Sequence, residues 1–268
     1  MTTQSHHDHV EKQFSSQASE YLTSTVHASG RDLQRLAVRL ADYPDASVLD
    51  MGCGAGHASF VAAQNVSTVV AYDLSAHMLD IVAQAAEARQ LKNITTRQGY
   101  VESLPFADNA FDIVISRYSA HHWHDVGAAL REVNRILKLG GKLIVMDVMS
   151  PGHPVRDIWL QTVEALRDTS HIRNHASGEW LTLISEANLI VDNLITDKLP
   201  LEFSSWVARM RTPEALVDAI RIYQQSASTE VKTYFALQND GSFTSDIIML
   251  EAHKLSLIHI SEPTRRRG

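Results

Sequence analysis

Between residues 46 and 149 short apolar runs alternate with stretches of helical period. The runs are SVLDMG (47–52), STVVAYD (67–73), NITTRQG (93–99), FDIVISR (111–117) and GKLIVMDV (141–148). They are rich in β-branched residues and bounded by turn formers, so they predict five strands. Two of the intervening helices have legible ends. Ser75 is placed to cap a helix carrying Met78, Val82 and Ala85 on one face. Asp125 is placed to cap another, with a stripe through Leu130, Val133 and Leu137 and Gly140 as its stop. Strands alternating with helices predict right-handed crossovers and a parallel sheet covered on both faces.

Upstream, GRDLQRLAVRLADYPDA predicts an amphipathic helix along Leu33, Leu36 and Leu40 that ends at Tyr43-Pro44. The first thirty residues carry little patterning beyond Phe14, Ala18, Tyr21 and Leu22. Downstream, Ser150-Pro151-Gly152-His153-Pro154 punctuates the chain. Helices are predicted at 155–168, 177–187 and 212–226, and strands at 189–203 and 244–253. The last two strands read as an antiparallel pair closing the sheet edge around an inserted helix. The expected organisation is an N-terminal helical lid (1–45), a core (46–149), and a C-terminal part of the same domain with an acceptor-site insertion (150–254). A tail (255–268) is expected to be non-native, because its basic LSLIHISEPTRRRG resembles translated vector sequence.

Of the 268 residues, 44% are hydrophobic and 21% charged, the balance of an ordinary globular chain. A net charge of −7 disfavours a sequence-independent grip on nucleic acid. No segment has the length and apolarity of a membrane span or a signal peptide, and the single cysteine, Cys53, cannot form an internal disulfide. The cytoplasm is the expected compartment. The partners these features allow are small molecules, and they leave the oligomeric state open.

VLDMGCGAGHAS (48–59) follows the first strand and places Gly52, Gly54 and Gly56 at alternate positions. In a doubly wound sheet this turn contacts the ligand. The spacing is not G-x-G-x-x-G, since His57 or Ser59 falls at the third position, and no G-K-S/T follows for a phosphate loop. Asp50 precedes the turn, which suits a cation better than a pyrophosphate. Asp73 closes the next strand, where an acid accepts from ribose hydroxyls. A nucleoside with a cationic, phosphate-free extension describes S-adenosylmethionine.

At these residues the chain resembles the class I S-adenosylmethionine-dependent methyltransferases, in the branch that includes quinone C-methyltransferases. D-x-G-x-G-x-G is met by Asp50, Gly52, Gly54 and Gly56, and D-L-S-x-x-M-L by Asp73, Leu74, Ser75, Met78 and Leu79. G-D-A-E-x-L-P-F is met by 99–106, F-D-x-V by Phe111, Asp112 and Val114, and R-x-L-K-P-G-G by Arg135, Leu137, Lys138, Leu139, Gly140 and Gly141. The resemblance implies a Rossmann-like, doubly wound, mainly parallel seven-stranded sheet with an antiparallel last strand and a helical lid. It also implies a cofactor site built from Asp50, Gly52, Gly54, Gly56, Asp73, Leu74, Met78, Tyr100, Val101, Glu102 and Ser116. Two positions depart from the pattern. Tyr100 stands where the family usually has an aspartate that accepts from the adenine amino group, which leaves the backbone at Val101 and an aromatic contact for that role. Leu139 replaces a proline.

SRYSAHHWHD (116–125) follows the fourth strand, where the family places groups that touch the methionine moiety and the acceptor. His121 and His122 are the candidate bases and Tyr118 a candidate for orienting the acceptor, the alternative being that all three only pack the loop. Adjacent loop histidines are expected to point apart, and no carboxylate or cysteine framework accompanies them, so no metal site is expected. His6, His7 and His9 read as a solvated tail. Cys53 reads as a packing residue. Trp159, Trp180, Phe203, Trp206 and Tyr223 either shape a pocket for an apolar or aromatic acceptor, such as a quinone-like ring, or form a lid core. The expected activity is methyl transfer to a small molecule. The alternatives are a non-catalytic S-adenosylmethionine-binding or scaffolding protein and an NAD-dependent oxidoreductase.

Overall fold

The computed structural model describes residues 5–15 and 30–255. Tyr21 and its neighbours, and residues 256–268 of the basic tail, lie outside the described residues.

Seven strands form one sheet in the order β3-β2-β1-β4-β5-β7-β6. They are β1 (Ser47–Met51), β2 (Thr68–Asp73), β3 (Ile94–Gln98), β4 (Phe111–Arg117), β5 (Leu137–Met149), β6 (Leu189–Leu201) and β7 (Phe243–Lys254). The first five are parallel, and β7 runs antiparallel to both β5 and β6. Alternation along β1 sends neighbouring side chains to opposite faces. Leu49 and Met51 enter the core beneath α5 (Val126–Ile136) and α7 (Ser177–Glu186). Val48 enters the core beneath α2 (Arg31–Leu40) and α3 (His57–Ala63). Leu33, Leu36 and Leu40 are the buried stripe of α2, at the spacing the sequence predicts. The caps hold as well: Ser75 Oγ accepts from the Met78 amide at the start of α4 (Ala76–Ala88), and Asp125 accepts from the Ala128 amide at the start of α5.

Two expectations fail. Gly140 is not the stop of α5, which ends at Ile136 because Leu137 turns extended and pairs with Phe111. The ladder then shifts register and resumes at Lys142 opposite Ile113. Gly140, with φ +76°, sits in this irregular stretch of β5. The insertion between β6 and β7 is three helices, not one: α8 (Phe203–Arg209), α9 (Glu214–Gln225) and α10 (Thr229–Tyr234). Glu202 accepts from the amides of Ser204 and Ser205 and so starts α8 where the sequence reads as strand. Trp159 of α6 (Pro154–Arg167) packs with Phe203, Trp206, Phe235 and Phe243 into a separate apolar cluster. Trp180 belongs to the main core. Phe203 and Trp206 of the insertion therefore belong to a core of their own.

β1 feeds β2 on one side, whereas β4 lies on its other side. The winding reverses there, and the crevice beyond the strands' carboxyl ends is where such sheets take ligands.

Candidate functional site

A cavity of about 130 Å³ opens at that reversal, walled by the ends of β1, β2 and β4, the segment after β3, and α1 (His6–Ser15). The three glycines of the turn each answer a different need. A Cβ on Gly52 would lie 1.9 Å from Ser119 Oγ, and one on Gly56 would lie 2.9 Å from both Phe60 and Val82. These two glycines permit close packing. A Cβ on Gly54 would meet nothing within 4 Å, so this position faces open space. All three have positive φ, the region in which a side chain is strained.

The turn is fastened to β2. The amides of Gly52 and Cys53 donate to the Tyr72 carbonyl at 2.8 and 3.0 Å, and the Gly54 amide donates to Asp73 Oδ2 at 2.8 Å. Asp73 Oδ1 accepts from the Ser75 amide at 2.9 Å. With the Leu74 amide also bonded to it, the carboxylate still has spare capacity among its about four lone-pair sites. Burial raises the Asp73 pKa, against the lowering effect of those amides. Asp50 is fully buried and accepts from Ser59 Oγ on Oδ2, while its Oδ1 has no hydrogen-bond partner. Burial pushes its pKa up to about 7, opposed by the Ser59 bond and helped by the charge of Asp73. An orphaned buried carboxylate oxygen on a cavity wall wants a donor or a cation.

On the next wall, Tyr72 OH donates to the Tyr100 carbonyl at 3.0 Å and fixes the segment after β3. Tyr100 is 48% exposed, and its ring meets the His7 ring edge-on at 4.6 Å. Glu102 Oε1 accepts from the His124 and Asp125 amides, and its Oε2 lies 3.4 Å from His7 Nε2. His6 Nε2 is 3.1 Å from the His122 carbonyl oxygen and His9 Nε2 is 2.8 Å from Thr169 Oγ1. His6, His7 and His9 thus dock α1 over the cavity rather than forming a solvated tail. No local pattern announces this, because their partners lie about a hundred or more residues away.

The wall after β4 carries Arg117, Tyr118, Ser119, His122 and Trp123. Arg117 is buried, donates through Nε to Asp32, and lies over the Tyr118 ring at 4.6 Å. Tyr118 adopts φ +50°, a strained value for a side chain of its size. Its hydroxyl pKa is raised by burial. The turn Ala120–His122 brings the His121 and His122 rings to 4.2 Å, so these neighbours do not point apart. Asp147, at the end of β5, draws His121 inward: its Oδ1 is 2.6 Å from His121 Nδ1, and its Oδ2 accepts from the Ala120 amide. Burial alone would lower the His121 pKa, but the charge and hydrogen bond of Asp147 outweigh it and the net shift is upward. Burial, then the charge of His121, pushes His122 down to about 4. His171, 5.7 Å from His121, is pushed down to about 2 by burial and by the same neighbours. Among the described residues no group of three or more His, Cys, Asp or Glu is arranged to hold a metal ion.

Of the residues expected at the site, Asp50, Gly52, Gly54, Asp73, Leu74 and Met78 line the cavity. So do Tyr100, Val101, Glu102, Tyr118 and His122. Gly56, Ser116 and His121 are not on its wall. Gly56 starts α3 against Val82, Ser116 is buried on the sheet face opposite Arg117, and His121 is turned to Asp147. Cys53 lines the cavity, and burial together with the two carboxylates raises its thiol pKa, the opposite of what a nucleophile needs. The sequence reading missed Arg117, Trp123, His7, Glu11 and Asp147. Arg117 and Trp123 fall inside a segment already singled out, and Asp147 ends an apolar run with an acid as Asp50 and Asp73 do.

A sheet in this order, with an acid-flanked glycine turn at its switch point, defines a Rossmann-like nucleoside-binding enzyme. Residues 49–145 match the model of a methyltransferase domain. The chain is 91% identical over 203 residues to protein YafE of Escherichia coli (strain K12), covering 76% of this chain and 98% of that one. It is 34% identical over 227 residues to the methyltransferase YcgJ of Bacillus subtilis (strain 168), covering 85% and 90%. The crystal structure of YcgJ superposes with a TM-score of 0.80 over 84% of this chain and 99% of that one. A demethylmenaquinone methyltransferase of Lactococcus lactis is 30% identical over 169 residues, covering 60% and 66%. The chain belongs to the class I S-adenosylmethionine-dependent methyltransferases. Membership implies S-adenosylmethionine as methyl donor and a small molecule as acceptor. No helix among the described residues is long and apolar enough to cross a membrane.

Proposed function

We propose that the cavity at the sheet's switch point holds S-adenosylmethionine and opens to an apolar, ring-bearing acceptor in the manner of a demethylated quinone. The observation that carries the first part is the unpartnered Asp50 oxygen beside the Asp73–Gly54 tie. These are a cation acceptor and a hydroxyl acceptor at the place where the turn leaves room for a ligand. In this reading Asp73 takes the ribose hydroxyls, and Asp50 faces the positive charge of the methionine moiety. Leu74, Met78, Val101 and the Tyr100 ring flank the base. Glu102, committed to the start of α5, holds that wall in place.

Bound there, the cofactor supplies an electrophilic methyl group on a sulfonium, which needs a nucleophile in line and little water. The chain's residues supply the rest. Tyr118 and Trp123 offer aromatic surface to the acceptor, and Val10 of α1 closes over it. His122 is held neutral on the wall, and behind it Asp147 fixes a proton on His121 Nδ1, leaving Nε2 as the stronger base of the pair. An acceptor that must lose a proton has this side of the cavity to take it. The quinone-like class is favoured by the apolar wall and by the likeness to a protein named for demethylmenaquinone.

Incubation with methyl-labelled S-adenosylmethionine and a panel of demethylated quinones, phenols and amines tests the reading. Label is expected in a ring-bearing acceptor, and transfer confined to hydrophilic amines or carboxylates would contradict the quinone-like class.

A further inference from the structure

The segment that leaves α6 is fastened to the histidine turn: the Ile172 and Arg173 amides donate to the His121 carbonyl at 2.9 and 3.3 Å. It carries two buried polar side chains, Asp168 and Ser170, that stand behind the cavity wall rather than on it. Asp168 Oδ1 accepts from the Ser170 amide at 2.9 Å and from the Ser170 hydroxyl at 2.6 Å. The Ser170 carbonyl oxygen lies 3.2 Å from His122 Nδ1, and Ser170 Oγ lies 3.4 Å from it. Asp168 Oδ2 lies 3.8 Å from His122 Nε2. His122 itself lines the cavity.

These contacts decide where the neutral ring keeps its proton. A carbonyl oxygen only accepts, and a hydroxyl has one proton to give. The Ser170 hydroxyl gives that proton to Asp168, so both Ser170 oxygens meet Nδ1 as acceptors and the ring proton belongs on Nδ1. Resting on the reading of the cavity as the site of methyl transfer, we propose that Asp168 is a positioning residue for His122. It draws off the Ser170 hydroxyl proton, holds the His122 proton on Nδ1, and so keeps Nε2 unprotonated to receive the proton of the acceptor. As the acceptor's nucleophile takes the methyl group and sulfur keeps the electron pair of the broken bond, the acceptor's proton passes to Nε2, from which it is lost to water. The Asp168 carboxylate faces the imidazolium formed in between. Its charge and that of Asp147 work against burial and His121, which hold the proton affinity of His122 down. The His171 ring stands 6.4 Å away on the same side. Without Asp168 the Ser170 hydroxyl turns its proton to Nδ1, the ring carries its own proton on Nε2, and the base is masked.

Nitrogen NMR of the whole protein with S-adenosylhomocysteine bound tests this, because the two ring nitrogens of a neutral histidine resonate apart and report which one is protonated. The His122 signals are those lost in His122→Gln. At about pH 7 the wild-type protein should carry the His122 proton on Nδ1. Asp168→Ala should populate the Nε2–H form. Ser170→Ala should keep the Nδ1–H form, since the carbonyl remains. The double variant has no hydroxyl proton to misdirect and should return to the Nδ1–H form, whereas a merely structural role for Asp168 would leave it no better than Asp168→Ala alone. With the acceptor that the labelling panel identifies, Asp168→Ala should lower kcat by about ten- to a hundredfold while the Kd of S-adenosylhomocysteine stays within about twofold. Adding Ser170→Ala should recover part of that loss. A wild-type His122 with its proton on Nε2 would overturn the inference even if no variant folds, and so would an Nδ1–H ring that survives Asp168→Ala. Failure of S-adenosylhomocysteine to bind the wild-type protein would instead overturn the reading of the cavity itself, and this inference with it.

Discussion

The Gly54 amide donates to Asp73 Oδ2 at 2.8 Å, so the tip of the glycine turn is fastened to the carboxylate that ends β2. The proposed acceptor of the ribose and the tip of the glycine turn are one hydrogen-bonded unit. Asp73→Asn keeps the shape and an oxygen for one of the amides but removes the charge. It should weaken S-adenosylhomocysteine binding by about ten- to a hundredfold, the span of roughly 1.5–3 kcal/mol for charge-assisted bonds. Equilibrium binding measures this, and an unchanged Kd would remove Asp73 from the site.

The glycines should separate binding from stability. Gly52→Ala and Gly56→Ala drive a Cβ into Ser119 and into Phe60 and Val82 respectively. Each should lower thermal stability by about 1–3 kcal/mol through strain and overpacking. Gly54→Val meets no protein atom at its Cβ and pays mainly for its φ of +50°. It should abolish cofactor binding at a stability cost nearer about 1–2 kcal/mol. Denaturant unfolding and binding on the three variants show whether the losses divide this way.

His122 and His171 are buried with pKa values pushed down to about 4 and about 2. A base whose folded pKa is depressed contributes stability that is present above its unfolded value near 6.5 and is lost as the pH falls through the folded value. Stability should therefore decline from about pH 6.5 toward about pH 4. His171→Gln should flatten part of that decline in urea denaturation series, and an acid limb identical to wild type would show that His171 is not kept neutral by burial.

Asp147 raises the proton affinity of His121 through its charge and the 2.6 Å contact to Nδ1. If the histidine pair draws a proton from the acceptor, with His122 on the wall and His121 behind it, the rate rises with pH through the pKa of the pair. Asp147→Asn should lower kcat by roughly a hundredfold and move that rise to lower pH, with the cofactor Kd unchanged. A fall in kcat with no shift of the profile would assign Asp147 to positioning the Ala120–His122 turn alone.

Much of this was legible in the chain because its signals are local. β4 occupies the seven residues read as FDIVISR, and Ser75 and Asp125 cap the helices they precede. The acid-flanked glycines announce the site because a side-chain-free turn at a switch point has few other uses. What stayed hidden depends on partners distant in sequence. Gly140 looks like a helix stop until Leu137 is seen paired with Phe111 across the sheet. His6, His7 and His9 look like a tail until their contacts with His122, Glu102 and Thr169 are seen. No periodicity announces the partnership of His121 with Asp147, 26 positions on. The insertion's aromatics were ambiguous because a lid core and a ring-binding pocket use the same residues.

The most direct test is a crystal structure of the protein grown with S-adenosylhomocysteine. The account predicts the ribose hydroxyls on Asp73, the nucleoside lying over Gly54 and the base beside Tyr100 and Val101. A ligand bound elsewhere, or a glycine turn left empty with Tyr100 folded across it, would contradict it.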